Sequence, residues 1–156
     1  MTRTNVMRLL DAAHIPYRTA EYAWDERDLS GAHAAEAIGM PPEQVFKTLV
    51  ARGDRTGLAV FCIPVLAELD LKKAAAVSGN KRVEMLHLRD LTALTGYQRG
   101  GCSPVGMKKK LPTFVDESAA LFAEIAVSAG ARGHQVILAP ADLIAYVGAR
   151  GADLTE

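Results

Sequence analysis

The sequence predicts an α+β domain spanning residues 1–156, and three observations carry that prediction. Two apolar segments, Val45 to Arg52 and Leu58 to Ile63, flank Gly53-Asp54-Arg55-Thr56-Gly57, which is the pattern of a β-hairpin. Helix-period stretches with cap residues lie on both sides of that hairpin. The two kinds of segment interleave irregularly, which separates this chain from a regular doubly wound sheet. Hydrophobic residues make up 49% of the chain, enough for a sizeable core without disulfides or metal.

In chain order, Val6, Leu9, Leu10 and Ala13 recur at helical spacing, Thr4 is placed to cap that helix, and Pro16 ends it. Tyr17 to Tyr22 reads as a strand and Trp24 to Leu29 as a charged loop. Ala32 to Ile38 is an alanine-rich helix closed by Gly39. Pro41-Pro42-Glu43-Gln44 makes a turn before the hairpin. Asp70 caps a helix from Leu71 to Val77 that Gly79-Asn80 ends. Arg82 to Leu86 is a short strand, and Leu88 to Leu94 a helix stopped by Gly96. Thr113 to Asp116 is a strand and Glu117 to Phe122 a short helix. Glu124 to Ser128 and Gln135 to Leu138 are strands joined by Ala129-Gly130-Ala131-Arg132-Gly133. Pro140 to Val147 is a final helix with proline in its first turn. Gly148 to Glu156 reads as a frayed tail.

Lys plus Arg and Asp plus Glu are both 18, so the formal net charge is zero. Affinity for a polyanion must then come from local clusters. Lys72-Lys73 and Lys81-Arg82 read as solvated faces, whereas Lys108-Lys109-Lys110 is denser. Cys62 lies in an apolar run and reads as a core residue. Cys102 sits in a glycine-rich loop. Two such distant cysteines form neither a CxxC motif nor an expected disulfide. The start of the chain lacks the apolar stretch of a signal peptide, and no apolar run is long enough to cross a bilayer. A cytoplasmic protein without membrane contact is expected, as a monomer or weak homodimer.

Familiar catalytic constellations are missing: no HExxH, no Walker loop, no GxSxG. Ser103 and Ser128 have no motif-supported histidine and acid. His14, His87 and His134 have no carboxylate that the sequence assigns to them, and His33 reads as a surface or capping residue. No metal or cofactor is expected. What stands out is residues 96–112, Gly-Tyr-Gln-Arg-Gly-Gly-Cys-Ser-Pro-Val-Gly-Met-Lys-Lys-Lys-Leu-Pro. Gly100-Gly101 followed by Ser103-Pro104 is expected to turn backbone N–H groups to one side, where they can receive an anion or a developing oxyanion. A solvated basic loop is the other reading. Lys47 interrupts the apolar run Val45-Phe46 and Leu49-Val50; it faces either solvent or a cleft.

Gly-Tyr-x-x-Gly-Gly-x-Ser-Pro-x-Gly with Lys-Lys-x-Leu-Pro resembles the signature of the YbaK/EbsC family, free-standing relatives of the editing domain of bacterial prolyl-tRNA synthetases. Val45-Phe46-Lys47-Thr48-Leu49 and Val127-Ser128-Ala129-Gly130-Ala131-Arg132-Gly133 fit the same family in order. The resemblance runs from about residue 5 to about residue 147. It implies a curved, partly closed mixed sheet flanked by helices, and hydrolysis of mischarged aminoacyl-tRNA acting in trans. The expected substrate is Cys-tRNA(Pro), whose own thiol attacks its ester, so that the protein positions groups and supplies no nucleophile. Lys47, Gly100, Gly101 and Ser128 match the family's catalytic positions. Tyr22 and Arg132 match substrate-binding ones, although Tyr22 also fits a core position. Lys108, Lys109 and Lys110 are expected to meet tRNA phosphates, and prolyl-tRNA synthetase is a candidate partner. Asp28-Leu29-Ser30-Gly31 departs from the Cys-tRNA(Pro) type where selectivity can be set. The rivals are a deacylase for another small residue, such as alanine, and a non-catalytic module that binds tRNA or a synthetase.

Overall fold

The computed structural model describes residues 3–156 and contains two sheets. Its element order begins with α1 (Asn5–Ala12), β1 (Arg18–Glu21) and α2 (Gly31–Ile38). The hairpin follows as β2 (Phe46–Gly53) and β3 (Gly57–Pro64), then α3 (Leu71–Ser78), β4 (Val83–Met85) and α4 (Leu88–Thr95). The C-terminal half holds β5 (Thr113–Asp116), β6 (Ile125–Ser128), β7 (His134–Leu138), α5 (Pro140–Val147) and β8 (Arg150–Ala152). Short 3₁₀ turns cover Pro42–Gln44 and Glu117–Leu121. The α+β class and the order of elements are those the sequence predicts, within a residue or two at the ends.

The larger sheet runs β4-β2-β3-β5-β8 and is mixed: β2 is antiparallel to β3 and β4, while β3-β5 and β5-β8 are parallel. The smaller sheet, β1-β7-β6, is antiparallel throughout. They meet at a parallel bridge between Val45 and Ala126. Among the described residues no complete barrel closes.

Strand parity sorts the core. Phe46 and Val50 of β2 join Val60, Cys62, Val127 and Val136 in a core between the sheets, which Val6, Met7 and Leu10 of α1 and Leu143 of α5 cover. The opposite face of the larger sheet buries Phe61, Ile63 and Phe114 under α3. Phe61 and Phe114 stack with centroids 5.5 Å apart. The outer face of the smaller sheet packs Ala126 and Ile137 against Ala35 of α2. Helix α2 comes this close because it starts with Gly31: a Cβ there would lie 2.3 Å from Val65 Cγ1.

One expectation is overturned. Residues 148–156 do not fray: Arg150–Ala152 pair in parallel with β5, and Leu154 is fully buried. Asp116 binds the tail by accepting the Leu154 N–H at 2.9 Å, and the Lys73 ammonium meets Asp153 at 3.0 Å. Burying one leucine contributes about 2 kcal/mol, beside the β5 pairing and these polar contacts. Cys62 is a core residue as expected, with its thiol pushed up to about 12 by burial.

The glycine-rich loop is held to the body by Tyr97. Its hydroxyl donates to the Val105 carbonyl across the loop, and its ring packs where a Cβ on Gly130 would lie 3.0 Å from Cε1. Burial pushes this phenol up to about 12, so it remains a donor at neutral pH. Tyr97→Phe keeps the packing and removes one hydrogen bond. The expected cost is about 1 kcal/mol, read by urea denaturation, with faster amide exchange confined to residues 96–106. A variant as stable as the parent would show that the ring alone holds the loop.

Candidate active site

A strand has two edges, and the site arises because β2 shares one of its edges between two neighbours. β3 takes one edge along the whole length. On the other, β4 pairs only with Ala51, Arg52 and Gly53, and β6 meets the chain only at Val45. Between these contacts the edge is open, and a cleft of about 360 Å³ lies there, within the range of small-molecule sites. The Leu86 N–H donates to the Val50 carbonyl at 3.1 Å. Antiparallel alternation then turns the N–H and C=O of Thr48 the same way, toward the cleft.

The lining is mostly apolar: Phe46, Leu49, Val65, Leu86, Leu88 and Leu91 among others. Residues 29–31 and Ala34 close it from the α2 side. Lys47, Arg99, Gly100, Cys102, Ser128, Gln135 and Tyr22 supply its polar groups. Sequence motifs far apart in the chain therefore converge here.

Lys47 is half-buried, and among the described residues nothing pairs with its ammonium. Holding a cation against apolar walls without a partner is unfavourable unless an anion or a polarised carbonyl completes the site. Between the two sequence readings, the structure places Lys47 in a cleft. Arg99 also lines the cleft, and its guanidinium likewise has no partner among the described residues. Motif reading passed over Arg99, although its place directly before Gly100-Gly101 was a signal.

Gly100 lines the cleft with φ +83°, a conformation that a side chain rarely adopts, and a Cβ there would lie 3.2 Å from Leu29 Cβ. Gly101 lies behind it and is buried. Its N–H donates to the Gln98 carbonyl at 3.0 Å, so this donor closes the turn and does not point into the cleft. A Cβ on Gly101 would meet the backbone N of Arg132 at 3.3 Å. The two motif loops therefore touch backbone to backbone.

Arg132 is directed away from the cleft. Its Nε donates to the Arg99 carbonyl at 2.8 Å, and its guanidinium carbon sits 5.3 Å from the centre of the Trp24 ring. It clamps the glycine loop. Ser128 is in the cleft and its Oγ accepts the Gly130 N–H at 3.1 Å, leaving its proton to donate. Ser103 is fully buried and its Oγ accepts the Val105 N–H, so it serves the loop's own turn. Tyr22 lines the cleft, with its ring edge-on to His33 at 6.0 Å. Lys108, Lys109 and Lys110 are exposed and lie outside the cleft. Among the described residues no group of three His, Cys, Asp or Glu is arranged to hold a metal, and no helix is long and apolar enough to cross a membrane.

The family model for the aminoacyl-tRNA editing domain matches residues 29–146, the span that contains nearly all of this cleft. The chain belongs to the aminoacyl-tRNA editing family. It is 50% identical over 153 residues to EbsC of Enterococcus faecalis, a presumed Cys-tRNA(Pro)/Cys-tRNA(Cys) deacylase, covering 98% of this chain and 93% of that one. It is 31% identical over 104 residues to the proline–tRNA ligase of Shouchella clausii, covering 67% of this chain but 18% of the ligase. The crystal structure of a presumed trans-editing enzyme for prolyl-tRNA synthetase superposes with a TM-score of 0.83 at 27% identity, covering 100% of this chain and 99% of that one. The editing-family member is thus a deacylase of aminoacyl-tRNA by family, and its YbaK-like α+β fold is that of its relatives.

Cys102 is the one thiol in the cleft. Burial pushes it up to about 12, so at neutral pH it is protonated and a poor nucleophile. Cys102→Ala is expected to retain at least half of the parent deacylation rate, measured as free amino acid released from charged tRNA. A folded but inactive variant would make Cys102 the attacking group.

Proposed function

We propose that the protein deacylates Cys-tRNA(Pro) in trans, in the cytoplasm, with the aminoacyl ester in the cleft beside β2. The Lys47 ammonium, which lines the same cleft as Gly100 and has no partner among the described residues, is the observation that carries this reading. An ester offers a carbonyl oxygen that gains negative charge as it is attacked, and a fixed cation in an apolar cleft stabilises that charge strongly. Arg99 is suited to the phosphate of the terminal nucleotide, and Gly100 lets the loop approach the ester closely.

The cleft holds no activated side-chain nucleophile, which suits attack by the substrate itself. The cysteine sulfur forms a bond to its own ester carbonyl carbon. The bond from that carbon to the ribose oxygen then breaks. The thiol proton ends on the ribose oxygen, freeing the tRNA, and water opens the resulting thiolactone to cysteine. The protein supplies orientation and charge stabilisation. The name of the Enterococcus relative and the likeness to a prolyl-tRNA synthetase relative support proline tRNA and cysteine as the pair. Recognition of the tRNA body is left to the exposed lysines and to a synthetase partner, with prolyl-tRNA synthetase as the candidate.

A panel of charged tRNAs is the direct test. Cys-tRNA(Pro) is expected to release its amino acid at least tenfold faster than a Ser-charged tRNA(Pro), because the oxygen analogue lacks the thiol. Equal rates would exclude attack by the substrate, and faster release from Ala-tRNA would favour the alanine reading. Lys47→Ala is expected to lower kcat/KM by about 100-fold or more with an unchanged melting temperature. Full activity in that variant would remove Lys47 from the mechanism.

The basic triplet has a separate readout. Replacing Lys108, Lys109 and Lys110 together with alanine is expected to weaken tRNA binding and to flatten the plot of log K against log salt by about one unit per lost phosphate contact. An unchanged slope would return the triplet to an ordinary solvated surface.

A further inference from the structure

Gln135 is 6% exposed, lines the cleft, and carries an amide oxygen that no donor reaches. Native interiors pair nearly all buried polar atoms, so an orphan of this kind at the wall of a cleft points to a missing partner. Its place is fixed by register. Gln135 on β7 lies directly opposite Ser128 on β6 and opposite Ala20 on β1. It therefore projects from the same sheet face as Ser128, beside the residue that faces the substrate.

The donors and acceptors of the cleft are unequal. Lys47, Arg99 and the Ser128 hydroxyl can all donate, and no aspartate or glutamate is among the lining residues. An aminoacyl ester, however, brings an α-ammonium that needs acceptors. The other side-chain oxygens are already engaged. Ser128 Oγ accepts from Gly130 N–H at 3.1 Å. Ser30 Oγ accepts from His33 N–H at 3.2 Å and lies 2.6 Å from Asp28 Oδ1. Thr48 Oγ1 faces Cys62 Sγ at 3.8 Å. Beside the Thr48 backbone carbonyl on the open strand edge, what remains among the side chains is the phenol of Tyr22 and the carboxamide of Gln135, and a carboxamide oxygen is a stronger acceptor than a phenol. A half-turn of its last torsion exchanges the two ends of the amide, so the oxygen can meet a donor in the cleft.

We infer that Gln135 is the residue that accepts the α-ammonium of the bound aminoacyl group, and so sets a requirement for a free amine. The inference rests on the reading of the cleft as an aminoacyl-ester site. A hydrogen bond to a charged group in such a place corresponds to about 10- to 100-fold in affinity.

The test uses two non-hydrolysable compounds, each with its acyl group joined by an amide to 3′-amino-3′-deoxyadenosine. One carries cysteine and the other its deamino counterpart, 3-mercaptopropionate. Calorimetry on the 156-residue chain is expected to show the cysteine compound binding about 10- to 100-fold tighter. Gln135→Leu is expected to bind both compounds alike, at the weaker level, and Gln135→Glu to keep the preference. The Leu variant should melt no lower than the parent, since it removes an unpaired polar atom; should it fail to fold, Gln135→Met takes its place. A parent protein that binds the two compounds equally, or a Leu variant that still prefers the amine, overturns the inference alone. Failure of either compound to bind overturns the reading of the cleft as well.

Discussion

The open edge of β2 is the constraint on which the rest of this molecule depends. Each backbone group on a strand edge must find a partner, in a neighbouring strand, in water or in a ligand. Here β3 satisfies one edge completely, while β4 and β6 divide the other and leave it uncovered between Val45 and Val50. That gap is what keeps the two sheets from closing into a barrel. It also explains why a strand otherwise suited to a core carries Lys47. The position lies on the face of Leu49 and Ala51, away from the core between the sheets, where the edge is open. A leucine there would fill the cleft, and a carboxylate would repel the charge that develops on an attacked ester.

The second requirement is rigidity on the opposite wall. A loop rich in glycine loses much conformational entropy when ordered, so it needs several attachments. Tyr97 ties it across its own width, Arg132 holds the Arg99 carbonyl, and Gly101 lies against the Ala131–Arg132 backbone. The last two contacts join residues 96–106 to the turn after Ser128. The two loops behave as one unit, which fixes the distance from Gly100 to Ser128. Arg132 thus helps to hold the Arg99 segment in position.

Much of the fold was legible in the sequence because its elements are marked locally. Thr4, Ser30 and Asp70 cap their helices with side-chain oxygens, and Gly39, Gly79 and Gly96 end theirs with positive φ. The tail was not legible, because β8 is three residues long and its parallel pairing with β5 depends on a partner more than thirty residues away. The site divided in the same way. Lys47, Gly100 and Ser128 sit in motifs, Tyr22 was matched outside them, and all four line the cleft. Gly101 and Arg132 share those motifs but serve the loop, a distinction that only hydrogen-bond partners reveal. Gln135 stayed hidden because it read as the first residue of a strand. Its relation to Ser128 exists only through the register of β6 with β7.

That register also bears on how selectivity is built. A thiol that attacks its own ester must curl back toward the carbonyl, and it does so only if the rest of the aminoacyl group is held. In the proposed pose, with the carbonyl beside Lys47 and the α-ammonium against Gln135, two of the substituents on the α-carbon are fixed. The third, the side chain, then has the apolar lining, Leu29, Ala34 and Val65 among it, to pack against. A wall of that kind accepts small uncharged side chains and gives charged ones no partner, but it cannot tell cysteine from alanine or serine by more than a modest factor. Discrimination among them therefore falls to chemistry, since cysteine alone carries a thiol. Binding needs only to hold the ester in the geometry where that thiol reaches it.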